Sequence, residues 1–238
     1  MGQYYRIVNV DKREVMVSFD FGNGQKLMEW SYVDNYMTNA LLNLLADEWK
    51  GDRVYVIGDY ADTDDMTECW AEAYAETEKE YPGGIYRATD EWLHRVPAEH
   101  NICEYRDGFE NTKDVEYERN GYRYIYNHAD KIYIDLEHCP LEWVWFGNNG
   151  EVDVASVFPL SLLLAMGNGR GGGDYRGADK CLCGDWCDTV RYLEITKEKL
   201  DNDYSEEIYP FTENNVIVPY TDREQFIETE RKGREARK

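Results

Sequence analysis

No apolar run in the 238-residue sequence approaches the roughly 18–20 residues that a membrane-spanning helix needs. The opening MGQYYRIVNV also lacks the basic region and long apolar core of an export signal, so a soluble, non-secreted, cytoplasmic protein is expected. Met1-Gly2 does not extend to a myristoylation motif, because position 6 is Arg6 where Ser or Thr is wanted. Cations are scarce: 26 Lys+Arg stand against 48 Asp+Glu, a formal net charge of −22. Such a surface repels nucleic acid and anionic membrane and attracts a basic partner. Histidine occurs only at His94, His100, His128 and His138. No HExxH, nucleophile elbow, deaminase signature, GxxxxGK[ST] or strand–GxGxxG–helix pattern is present, so no nucleophile–base pair and no cofactor are nominated. The six cysteines, in a chain with no export signal, are expected to be reduced thiols.

Aromatic residues are plentiful. Seven Trp, 20 Tyr and 7 Phe supply the large surfaces that a disordered acidic chain lacks, so the chain is expected to fold. Its organisation is repetitive. YYRIVNVDKREVMV (4–17) and YRYIYNHADKIYIDL (122–136) each alternate apolar and polar residues around an Asn/Asp turn, the signature of a β-hairpin. Asn9, Asp11 and Lys12 align with Asn127, Asp130 and Lys131. An amphipathic helix follows each hairpin, over 33–49 and 156–166, where apolar residues recur at three and four. Then come a tryptophan, Trp49 or Trp186, and a further strand.

These elements predict an α+β protein of two pseudo-symmetric β-β-α-β units, 1–62 and 121–200, packed about a pseudo-twofold axis to cover their open sheet faces. Residues 63–120 form a connector. In it Met66, Trp70 and Tyr74 line one helix face, and Glu68, Glu72, Glu76 and Glu80 line the other. Residues 101–120 read as a loop, and 201–238 as a strand and helix tail with a frayed C-terminal helix.

The opening MGQYYRIVNVDKREV, FGNGQKLMEW, WKGDRVYVIGDYAD and GNGRGGGDY followed by a Trp resemble an uncharacterised family of bacterial and phage proteins that begin MGQYY or MGQYW. The resemblance implies phage or prophage context and no assigned activity. Family members carry a GGGD loop between the first helix and the WxGDR strand, where this chain has only ADEW.

Three stretches invite chemistry. In GNGRGGGD (167–174) the glycines follow a helix, the reverse of a phosphate loop, and a glycine return from helix to strand accounts for them. The alternative is an anion site made by Arg170, Gly171, Gly172, Gly173, Asp174, Tyr175 and Arg176, with Tyr175 or Trp186 stacking a base. Cys181, Cys183 and Cys187, with His138 and Cys139 upstream, offer zinc donors at a spacing that fits no standard knuckle, and no metal ligand set is nominated. Asp59, Asp62, Asp64 and Asp65 form an acidic cluster open to a divalent ion, but the EF-hand spacing is not met, and a solvated helix N-terminus is the reading preferred. His128 reads as a turn residue.

The like charges of Glu68, Glu72, Glu76 and Glu80 at i,i+4 slightly destabilise a helix, which suggests that the charge has a use. Acidic segments at 104–118 and 198–207 could extend that surface toward mimicry of a nucleic acid. The leading expectation is a non-enzymatic phage-type protein that blocks a basic, nucleic-acid-handling host protein such as a defence nuclease. The alternatives are a sponge that captures a nucleotide signal at the glycine loop, and a metal-assisted hydrolase using Asp174. A homo-oligomer is compatible with the repeat.

Overall fold

The computed structural model describes residues 2–61, 68–95, 118–147, 151–167, 184–200, 203–208 and 222–237. The architecture is α+β. β1 (Tyr5–Asn9) and β2 (Glu14–Val17) form the first hairpin, and α1 (Tyr36–Ala46) leads to β3 (Val54–Gly58), which returns antiparallel to β1. The Asn35 side chain caps α1 by accepting from the Met37 N–H at 2.9 Å, one of the orphan donors of a helix start. After α2 (Glu68–Glu78) and α3 (Ile85–Ala88), β4 (Leu93–His94) joins β2 in parallel.

The second unit repeats this plan register for register. β5 (Tyr124–Asn127) and β6 (Ile132–Asp135) pair as β1 and β2 do: Asn9 faces Glu14 and Asn127 faces Ile132, while Ile7 faces Met16 and Ile125 faces Ile134. β10 (Leu193–Thr196) pairs with β5 as β3 pairs with β1. The repeat extends one strand beyond the sequence reading. β11 (Ser205–Glu206) joins β6 in parallel as β4 joins β2, so the sheet orders are β4-β2-β1-β3 and β11-β6-β5-β10.

One asparagine organises each hairpin. Asn9 Oδ1 accepts from the Lys12 N–H and Asn127 Oδ1 from the Ala129 N–H, while their amide nitrogens donate to Asp52 and Thr189, each three residues after the unit's tryptophan. The turn alignment is corrected by one residue. Arg13 and Lys131 are the equivalent left-handed positions, φ 56° and 60°, so Lys12 corresponds to Asp130 and Asp11 to Ala129. Both turns span the same length between paired strands, which leaves no room for the shift that matching Asp-Lys to Asp-Lys requires.

The units meet on a pseudo-twofold axis. Val33 N–H donates to Ser156 O at 2.7 Å and Phe158 N–H to Ser31 O at 2.8 Å, around an antiparallel bridge of Tyr32 and Val157. A twofold axis through two equivalent segments generates this reciprocal pair. Alternation of period two sends Tyr5, Ile7, Met16, Val54 and Val56 inward from the first sheet, and Ile125, Ile134, Leu193 and Ile195 inward from the second. Between them lies α1, with eight of its eleven residues buried, the polar Thr38 and Asn39 among them. The outer face of the first sheet, Val8, Val15, Val17, Tyr55 and Ile57, is covered by Trp70 and Ala73 of α2 and by α3.

The helix expected over 156–166 is one turn, α4 (Leu160–Leu163). The chain then extends as β9 (Ala165–Met166), which pairs in parallel with β3 and gives the first sheet a fifth strand. Backbone bonding to an open sheet edge, including Val56 N–H to Leu164 O at 2.8 Å, replaces further helical turns. A hairpin absent from the sequence reading, β7 (Leu141–Phe146) and β8 (Val152–Ser156), precedes α4. The tail forms α5 (Arg223–Glu235), a regular helix held on this hairpin: Arg223 donates to Ser156 Oγ at 3.0 Å and Arg234 to Phe146 O at 2.9 Å, with its guanidinium 4.7 Å from the Phe146 ring. No helix among the described residues is long and apolar enough to cross a membrane.

Candidate functional site: the acidic helix and the outer face of the second sheet

Glu68, Glu72, Glu76 and Glu80 are all exposed, as their spacing opposite Trp70 requires, with Glu80 just beyond the end of α2. Two of them are engaged. Arg53 of β3's leading edge reaches Glu76 at 2.8 Å and Asp11 at 2.7 Å, and Arg13 donates to Glu80 at 3.0 Å. Burial raises the Asp11 pKa, but the side-chain and backbone hydrogen bonds and charge of Arg53, with the charge of Arg191, outweigh it and leave the carboxyl below its ordinary value. The stripe therefore divides. Glu76 and Glu80 tie α2 to the first sheet, and Glu68 and Glu72 face outward at its N-terminal half.

Arg170, Gly171, Gly172, Gly173, Asp174, Tyr175 and Arg176 lie outside the described residues, as do Cys181 and Cys183 and the acidic segment up to residue 117. At the root of the glycine loop, Gly167 has φ +89°, and a Cβ there would come within 2.9 Å of the Ala61 nitrogen. Glycine is required at this exit. Trp186, expected as a stacking surface for a base, is 3% exposed in the core. Its N–H donates to Leu163 O at the end of α4, as that of Trp49 donates to Leu44 O near the end of α1. The residue is the second unit's copy of a core tryptophan.

The zinc reading of Cys187 and Cys139 meets two buried thiols. Cys187 packs with its sulfur 3.5 Å from Met166 Sδ. Burial pushes the Cys139 thiol up to about 12, and the thiolate is the reactive form. In the native protein both should resist alkylation by iodoacetamide, with labelling only after denaturation. Peptide mapping that finds Cys139 modified without denaturant would contradict this burial.

The two outer sheet faces differ in chemistry. At the positions of Val8, Val15, Val17 and Tyr55 the second sheet carries Tyr126, Tyr133, Asp135 and Glu194, in the same register. Tyr126 stacks on Tyr133 at 5.3 Å and meets Tyr204 edge-on at 5.0 Å. Residues on either side of 201–202 meet these rings: the Leu200 N–H donates to Tyr126 Oη at 2.8 Å, and Lys199 Nζ sits 4.8 Å from the Tyr133 ring. His128, expected as a plain turn residue, lies between Glu194 Oε2 at 2.8 Å and Tyr204 Oη at 2.6 Å.

At the opposite end of the hairpin, His138 Nδ1 contacts Glu206 Oε1 and lies 3.5 Å from Asp135 Oδ2. Tyr133 Oη donates to Glu206 Oε2 at 2.8 Å. Asp135 is held in a fork by Arg123, Nε to Oδ1 at 2.8 Å and Nη2 to Oδ2 at 2.7 Å. Burial raises its pKa, but the Arg123 and Glu137 hydrogen bonds and the charges of His138 and Arg123 outweigh it, so the carboxyl lies below its ordinary value.

This acid–imidazole contact has a counterpart. In the first unit Asp20 takes the position of His138, and His94 of β4 that of Glu206 of β11; they lie 3.2 Å apart, both buried. Acid and base have exchanged places while the link from the post-hairpin segment to the outer strand remains. Sequence reasoning missed the group because Glu206 is remote from His138 in the chain. Carrying the repeat past the third strand would have found it, since His138 falls on Asp20.

Comparison of the chain with protein-family models, with curated proteins and with solved structures gives no match.

Proposed function

We propose that this is an acidic, phage-type binding protein that occupies and blocks a basic, nucleic-acid-handling host protein such as a defence nuclease. The observation that carries the reading is how the chain uses its cations. Arg6 pairs with Asp90, Arg13 with Glu80, Arg53 with Asp11 and Glu76, Arg95 with Glu14 and Glu48, and Arg123 with Asp135 and Glu137. Those positive charges are engaged by acids of the chain itself, and the net charge of −22, which already counts every cation, is left for a partner to neutralise. Exposed Glu68 and Glu72, on the turns of α2 that Arg53 and Arg13 do not reach, belong to that excess. The phage context implied by the resemblance supports a host target, and neutralising a nuclease's phosphate-binding surface is the physical route to inhibition.

The test is a panel of purified basic nucleases, with cleavage and affinity measured at rising salt. At least one member should be inhibited, its affinity should fall as salt screens the charges, and the double substitution Glu68→Lys, Glu72→Lys should weaken binding while circular dichroism stays unchanged. An affinity indifferent to salt, or no inhibition across the panel, would sink the proposal.

A further inference from the structure

We propose that Asp135, His138 and Glu206 form a binding site for one divalent transition-metal ion of the zinc class. Their donor atoms all lie within 4.8 Å of one another, and Nδ1 of His138 is 3.5 Å from Asp135 Oδ2 and in contact with Glu206 Oε1. Donors around an ion bonded at about 2.0–2.2 Å are separated by somewhat more than 3 Å, so small side-chain adjustments bring the three onto one centre. One imidazole and two carboxylates suit zinc and its neighbours, whereas magnesium and calcium take oxygen alone. Three protein donors leave a further coordination position open.

The surroundings fit a ligand set. Tyr133 Oη fixes the far oxygen of Glu206, and the Glu137 N–H and Arg123 fix Asp135, the outer hydrogen bonds that orient ligating carboxylates. Asp135 Oδ1 accepts from both Arg123 and the Glu137 N–H, so the lone pair for the ion is on Oδ2, which accepts from Arg123 Nη2 and faces His138; on Glu206 it is on Oε1, since Oε2 holds Tyr133. The Arg123 charge opposes a cation, but Glu137 at 2.5 Å offsets it. The internal repeat supplies an independent argument. Asp20 and His94 link the outer strand of the first sheet with Val17 at the position of Asp135, and their side chains are each 6% exposed. Linking the strand therefore needs only the pair. The second unit adds a third donor and opens the group, with His138 and Glu206 side chains 30% and 27% exposed; the fold of its twin requires neither.

The full-length chain titrated with Co²⁺ and then Zn²⁺, read by visible absorption, calorimetry and native mass spectrometry, decides the matter. One ion per chain is expected, with no thiolate-to-cobalt charge-transfer band. Glu206→Gln, which keeps the shape of the side chain, and His138→Gln should each weaken uptake by more than about tenfold, whereas His94→Gln, in the unit without the third donor, should leave it intact. Circular dichroism checks each fold, and Glu206→Gln alone decides if the His138 variant does not fold. No uptake, uptake indifferent to Glu206→Gln, or a thiolate band marking cysteine ligation would overturn the assignment.

Discussion

Replacing Trp49 or Trp186 with alanine is expected to lower stability by about 3–5 kcal/mol in each case, the cost of emptying a buried Trp site. Both rings belong to the one core between the sheets, and each Trp backbone N–H closes the end of its unit's helix. Each also places, three residues on, the Asp52 or Thr189 that receives the hairpin asparagine. Urea denaturation of both variants should show midpoints falling together. A Trp186 variant as stable as the parent would mean that the residue is no structural twin of Trp49 and would reopen its role as a ligand surface.

Arg95→Ala should be comparably damaging, about 3–5 kcal/mol, for a different reason. The Arg95 side chain is 2% exposed, paired with Glu48 and lying 3.4 Å from Glu14, whose same oxygen accepts from Trp49 Nε1 at 2.6 Å. Removing the guanidinium leaves the Glu14 carboxylate, 12% exposed, with no compensating charge among the described residues. Adding Glu14→Gln to the Arg95→Ala variant should restore part of the loss, because the uncompensated charge goes with it. Arg13→Ala, at an exposed pair with Glu80, should barely move the midpoint, since solvent screens such pairs. Equal losses for Arg95 and Arg13 would show that burial is not what sets the cost.

The repeat was legible because its signals are local. Alternation in YRIVN and YIYN fixes which side chains share a face, and an asparagine at the strand end marks the turn wherever it occurs. α1 was legible from its leucine spacing and the Asn35 cap. The run after Pro159 carries the same leucines, yet only Leu160–Leu163 is helical. What changes its outcome is the free edge of β3, an element about a hundred residues earlier that no local window contains. The exposed glutamate stripe was legible for the same reason as the helix that bears it, whereas its division by Arg53 and Arg13 was not, because those arginines come from the β1–β2 turn and the lead into β3, in another part of the chain.

The sequence by itself determined the α+β class, two β-β-α-β units, the acidic excess and the absence of a familiar catalytic motif, because composition and short-range periodicity are properties of the chain before it folds. Only the tertiary structure decided that each unit gains a parallel outer strand, that an acid–imidazole pair links that strand in both, and that in the second unit Asp135 joins His138 and Glu206. These are meetings of segments distant in the sequence, brought together by burial of the shared core and by the need to satisfy backbone hydrogen bonds at sheet edges.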